Sequence, residues 1–173
     1  MKELILGGVR SGKSRLAEQR AQESGLAVVY IATGAPGDDE MRSRIEEHRK
    51  RRPAVWLTVE EPRALAQALR KHAGKDRCML IECLTLWLTG LLCTGTPQQL
   101  EQERTALLTA VQEIPGRLII VSNETGLGIV PMDPLSRRFS EEAGLLHQDL
   151  ARICERVTFV AAGLPLLLKG DLA

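Results

Sequence analysis

The stretch Gly7-Gly8-Val9-Arg10-Ser11-Gly12-Lys13-Ser14 constrains this chain more than any other. It reads G-x-x-x-x-G-K-[ST] and lies where that pattern has a physical meaning, between the apolar Leu4-Ile5-Leu6 and an amphipathic stretch over 13–23. Glycines let the backbone curl until successive N–H groups face one centre. The following helix adds the positive end of its dipole. Lys13 brings a mobile point charge for the β and γ phosphates, and Ser14 an oxygen for Mg²⁺. Gly7, Gly8, Val9, Arg10, Ser11, Gly12, Lys13 and Ser14 are therefore candidate nucleotide-binding residues, with Lys13 also a catalytic candidate.

Such a loop needs a parallel sheet behind it, and the rest of the chain supplies the pattern. Apolar, β-branched runs alternate with amphipathic stretches, which predicts an α/β fold with a largely parallel sheet. Strands are expected over 27–33, 56–60, 77–83, 118–121, 157–161 and 164–168. Helices are expected from Asp38 to about Arg51, from Pro62 to His72, over 85–93 and 98–113, and from Pro134 to about Arg156. Residues 124–134, rich in Gly and Pro, read as a surface loop. The 173 residues fit a single domain, 1–173.

Composition narrows the function classes. A net charge of +1 gives no global field for nucleic acid or an anionic membrane, so any useful basic character is local. No apolar run approaches the length of a membrane span, and the amino end carries no signal-peptide pattern, so a cytoplasmic location is expected. Cys78, Cys83, Cys93 and Cys154 form no C-x-x-C pair and read as reduced thiols. The N-K-x-D pattern that reads guanine in signalling GTPases is absent, which disfavours a switch GTPase.

A phosphate cradle needs a second carboxylate at the end of another buried strand. Glu82, which closes Cys78-Met79-Leu80-Ile81, is the candidate, and with Ser14 it makes the expected metal pair. The second unusual segment is 42–52, with six basic and two acidic residues. Met41, Ile45 and His48 fall at i, i+4 and i+7, so His48 shares the apolar face of that predicted helix. Two readings stand. His48 is a structural histidine on a solvated basic helix, or it is a nucleophile whose imidazole attacks a phosphorus and forms a phosphoramidate, with neighbouring guanidiniums neutralising the charge.

At this point the chain resembles the bifunctional adenosylcobinamide kinase / adenosylcobinamide-phosphate guanylyltransferase family. The matching pieces are the glycine-rich loop at 7–14, Tyr30-Ile31-Ala32-Thr33, Asp38-Asp39-Glu40-Met41, Arg44-Ile45 with His48, Arg52-Pro53, and Trp56 with Thr58 and Glu60. Glu82-Cys83-Leu84-Thr85, and Ser122-Asn123-Glu124 with Gly126, Gly128, Ile129, Val130 and Pro131, complete the set, which runs from about residue 4 to 168. The resemblance implies a three-layer P-loop NTPase (RecA-like) fold and a homotrimer. It implies phosphorylation of adenosylcobinamide by ATP or GTP. The second implied reaction is transfer of GMP from GTP to adenosylcobinamide phosphate, through GMP carried on a histidine. His48 is the matching histidine; Thr33, Arg49, Lys50, Arg51, Arg52, Glu60 and Glu82 would line the nucleotide site.

One position departs from the family's pattern. Where Gly-x-x-Asn-Gln is usual, this chain has Gly144-Leu145-Leu146-His147-Gln148. The imidazole keeps hydrogen-bonding capacity but changes shape and pKa. A monofunctional P-loop kinase with a structural His48 is the alternative reading, and a nucleotide-gated binding module without catalysis is a third. The set Lys13, Ser14 and Glu82 weighs against the last.

Overall fold

The computed structural model describes residues 1–34 and 52–171. The predicted helix carrying Met41, Ile45 and His48 lies outside the described residues, as do Arg49, Lys50 and Arg51. Seven strands form one sheet: β1 (Lys2–Gly7), β2 (Ala27–Ala32), β3 (Leu57–Glu60), β4 (Arg77–Glu82), β5 (Arg117–Asn123), β6 (Arg156–Ala161) and β7 (Leu164–Lys169). Their spatial order is β3-β2-β4-β5-β1-β6-β7. Neighbours pair in parallel except β7, which returns antiparallel on β6.

Five helices are described: α1 (Lys13–Glu23), α2 (Leu65–His72), α3 (Leu84–Thr94), α4 (Pro97–Glu113) and α5 (Pro134–Ile153). The unbroken apolar strands follow from cover on both faces. Because side chains alternate along a strand, Leu4 and Leu6, Val29 and Ile31, Met79 and Ile81, and Leu118 and Ile120 join one core. Leu65 and Leu69 of α2, Trp87 of α3, Leu107 of α4 and Leu146 of α5 pack into it. Ile5, Tyr30, Leu80, Ile119 and Val121 point the other way, onto Ala17 and Ala21 of α1. The result is a helix–sheet–helix sandwich with every parallel strand delivering its carboxyl end to one edge.

Most boundaries shift by one or two residues, and the two largest differences, three residues each, have local reasons. α2 starts at Leu65 rather than Pro62 because Oε1 of Glu61 accepts from the amides of Arg63 and Ala64 at 2.9 and 2.8 Å, holding a turn ahead of the helix. α5 ends at Ile153 rather than Arg156. Cys154 is extended, the amide of Glu155 donates to the Lys2 carbonyl at 3.0 Å, and Arg156 already belongs to β6. By contrast α4 begins at Pro97, one residue ahead of the expected 98, behind a reciprocal Thr96–Gln99 cap.

Candidate phosphate and metal site

β1 stops at Gly7 and α1 opens at Lys13, so the eight-residue motif is the crossing from sheet to helix. The crossing is tight. A Cβ on Gly7 would meet both Ser11 Oγ and the Val160 carbonyl at 2.5 Å. Gly12 sits at φ 99°, where an L side chain is strained, and a Cβ there would lie 3.2 Å from Gly163 Cα. The β6–β7 turn braces the loop from below, as Gly163 donates its amide to the Ser11 carbonyl at 2.8 Å. Ser11 and Lys13 are buried, and Val9 is exposed. Lys13 Nζ lies 3.4 Å from the Gly8 carbonyl, inside the curve of the loop.

Glu82, at the carboxyl end of β4, is brought to the first turn of α1. The Ser14 hydroxyl donates to its Oε1 at 2.7 Å, while Oε2 is buried with no hydrogen-bond partner among the described residues. Burial pushes the Glu82 carboxyl up to about 7, against the opposing pull of the Ser14 hydrogen bond and the Lys13 charge. A half-satisfied carboxylate beside a serine hydroxyl is a pair of hard oxygen donors, and such a pair fits Mg²⁺.

The sheet lines up further candidates along the same edge. In register, Glu60 of β3 stands beside Ala32 of β2, which stands beside Glu82 of β4. Thr33 follows directly. It is buried, and its hydroxyl donates to the Cys83 carbonyl at 2.6 Å, so it fastens the end of β2 to the segment after β4. Glu60 lines a cavity of about 380 Å³ together with Arg52, Pro53, Ala54, Trp56 and Thr58. The Arg52 guanidinium stacks on the buried Tyr30 ring, 3.6 Å from its centroid. Lys13, Ser14 and Glu82 thus form one cluster, while Arg52 and Glu60 form a second towards the β3 edge of the sheet.

One polar constellation escaped the sequence reading. His147 of α5 is buried, with Nε2 2.8 Å from Ser122 Oγ and Nδ1 3.7 Å from Glu124 Oε2. The second distance is too long for a hydrogen bond, so the carboxylate acts on the ring through charge. Burial lowers the imidazole pKa, and Glu124 offsets part of that. A carboxylate facing Nδ1 favours the Nδ1–H tautomer, with the Ser122 hydroxyl donating to Nε2. A signal was present: Ala143, Leu146, His147 and Leu150 recur at i, i+3, i+4 and i+7, the buried face of the helix.

With this geometry in place, comparisons with known proteins are specific. A family model described as cobinamide kinase / cobinamide phosphate guanyltransferase matches residues 3–168. The bifunctional adenosylcobalamin biosynthesis protein CobP of Pseudomonas aeruginosa is 64% identical over 171 residues, covering 99% of each chain. CobU of Escherichia coli, described likewise as a bifunctional adenosylcobalamin biosynthesis protein, is 37% identical over 179 residues, covering 96% of this chain and 98% of its own. Among solved structures, the RadB recombinase superposes with a TM-score of 0.50 at 16% identity, covering 91% of this chain and 73% of its own. At that identity the likeness bears on fold alone, and the fold is the RecA-like P-loop arrangement.

Proposed function

We propose, from the premise that this chain belongs to the cobinamide kinase / cobinamide phosphate guanyltransferase family and is a transferase, that it carries both reactions of that name and links them through a covalent GMP on His48. In the first reaction the free hydroxyl of adenosylcobinamide attacks the γ-phosphorus of ATP or GTP. The new O–P bond forms as the β–γ bridge breaks, the hydroxyl proton is released, and the nucleoside diphosphate leaves. In the second, a ring nitrogen of His48 attacks the α-phosphorus of GTP and pyrophosphate leaves. A phosphate oxygen of adenosylcobinamide phosphate then takes the GMP, giving adenosylcobinamide-GDP and freeing the imidazole.

The observation that carries the phosphate chemistry is the Ser14–Glu82 contact at the mouth of the glycine-rich loop. Gly7 to Ser14 would wrap the phosphates, with Lys13 neutralising the leaving bridge oxygen. Ser14 and Glu82 would hold Mg²⁺, which when bound supplies charge neutralisation on the β and γ phosphates. Arg49, Lys50, Arg51 and Arg52 would surround the α-phosphate, and Thr33 and Glu60 would border the nucleoside. Assembly as a homotrimer and residence in the cytoplasm belong to the same proposal.

Incubation with GTP labelled at the α-phosphate tests it. Acid-labile label on the wild-type protein, absent from His48→Ala, is the expected result. Transfer of γ-label to cobinamide with no α-label on the protein would leave a monofunctional kinase and remove the covalent relay.

A further inference from the structure

We propose that the loop over 124–133 is the surface that receives the macrocycle of the acceptor, an assignment that rests on the cobinamide-directed transferase reading above. The loop leaves β5 beside the phosphate cradle. Asn123 pairs in register with Gly7, and the Glu124 amide donates to the Gly7 carbonyl at 3.1 Å. A hydroxyl in line with a γ-phosphate held at this edge arrives over the carboxyl ends of the strands. The bulk of its molecule must therefore rest on whatever borders that edge.

On the side of β5 that border is apolar. Leu127, Ile129, Val130 and Met132 are all exposed, Ile129 at 98% and Met132 at 92%. Between Glu124 and Asp133 there is no charged side chain. Four aliphatic side chains within six residues are a costly surface to leave in water, and such patches mark contacts. The frame is braced at both ends. Glu124 Oε1 accepts from the Gly126 amide at 2.5 Å, and its Oε2 faces His147. At the far end Asp133 caps α5 through the Ser136 amide at 2.8 Å, and Arg137 donates to the carbonyls of Pro131 and Met132 at 3.2 and 2.5 Å. A braced frame lowers the ordering cost of binding.

The chemistry of the patch selects the occupant. A nucleoside triphosphate is anionic and gains little from uncharged aliphatic contact. A corrin macrocycle offers broad hydrocarbon faces and a rim of neutral amides, which suits an apolar loop without charge. A second copy of this chain is the competing occupant.

The double variant Ile129→Ser/Met132→Ser separates them. Both side chains are exposed, so the variant loses no core contact and its melting temperature should match wild type. The KM for cobinamide should rise by about tenfold or more, as expected for two lost apolar contacts. The KM for GTP and the sedimentation coefficient should not change. An unchanged cobinamide KM overturns the proposal. So does a changed sedimentation coefficient, which would assign the patch to contact between copies. Equilibrium dialysis of cobinamide, followed by its visible absorption, gives a readout independent of turnover and of His48. Binding weakened in the variant supports the proposal even if no covalent GMP forms, and equal binding, or none by the wild type, overturns it.

Discussion

The Ser14 hydroxyl donates to Oε1 of Glu82 across 2.7 Å, joining the first turn of α1 to the last residue of β4. The same enclosure that makes this contact possible pushes the carboxyl up to about 7. Between the ordinary carboxylate value near 4.5 and this raised value, the folded chain binds more protons than the unfolded one. The stabilising contribution is therefore full at low pH and is lost as pH rises through about 7. Urea unfolding of the nucleotide-free protein should show wild type losing about 1 to 3 kcal/mol relative to Glu82→Gln over that window. A pH-independent difference between the two would contradict the enclosure. Both transfer activities should fall by roughly a hundredfold or more in Glu82→Gln, the scale of removing an electrostatic group that acts on transferring phosphates.

The conformation of the phosphate loop makes a sharper contrast between neighbouring glycines. Gly12 is left-handed and abuts Gly163 backbone, whereas a Cβ on Gly8 would meet nothing within 4 Å. Gly12→Ala should cost about 1 to 2 kcal/mol in urea unfolding and raise the KM for GTP, since the helix amino end shifts with it. Gly8→Ala should leave stability within about 0.5 kcal/mol of wild type. Equal costs at the two sites would mean that the curl of the loop is not held by Gly12.

Much of this architecture is legible in the sequence because the strongest signals are local. The motif at 7–14 lies between a strand and a helix, and Glu82 closes an apolar run, so both can be placed without knowing what lies opposite. The pairing of Ser14 with Glu82 spans 68 positions, yet the parallel-sheet expectation already brings them to one edge. The misses are of another kind. Arg52 stacks on the ring of Tyr30 in β2, and no periodicity announces it. His147 carries a helix-face signature, but its partners Ser122 and Glu124 lie at the end of a strand 25 and 23 positions earlier, and only the tertiary fold selects them. The early end of α5 is likewise set by strand pairing at Arg156, which overrides a sequence that could continue as helix.

The Arg52–Tyr30 stack separates planar recognition from simple charge. The guanidinium carbon sits 3.6 Å over the centroid of a buried ring, and Arg52 borders the cavity that Glu60 also lines. Lysine keeps the charge but loses the stacked plane. Arg52→Lys should therefore raise the KM for GTP by roughly threefold to tenfold, with kcat less affected, the size of one partly exposed cation–π contact. If Arg52→Lys matches wild type while Arg52→Ala does not, charge alone is what the site uses.

His147 supplies the last test, and its sign is opposite to that of Glu82. Burial holds the imidazole below its ordinary value of 6.5, with Glu124 partly offsetting the shift. Among the described residues the charged group facing the ring is Glu124. From the elements packed on α5, α3 carries no charged side chain, Arg104 of α4 is directed to Glu142 and Asp149, and Glu3 of β1 pairs with Arg20. Below about 6.5 the unfolded chain takes up a proton that the folded ring resists, so stability should decline as pH falls through that range. In His147→Asn the amide can still bond Ser122 without titrating, so the acid-side decline should flatten while stability near pH 8 changes little. Thermal melts of the two proteins from pH 5 to 8 decide it. Parallel curves would mean that the ring is solvated or already paired with Glu124 as an ion, and either result would break the inferred Nδ1–H tautomer.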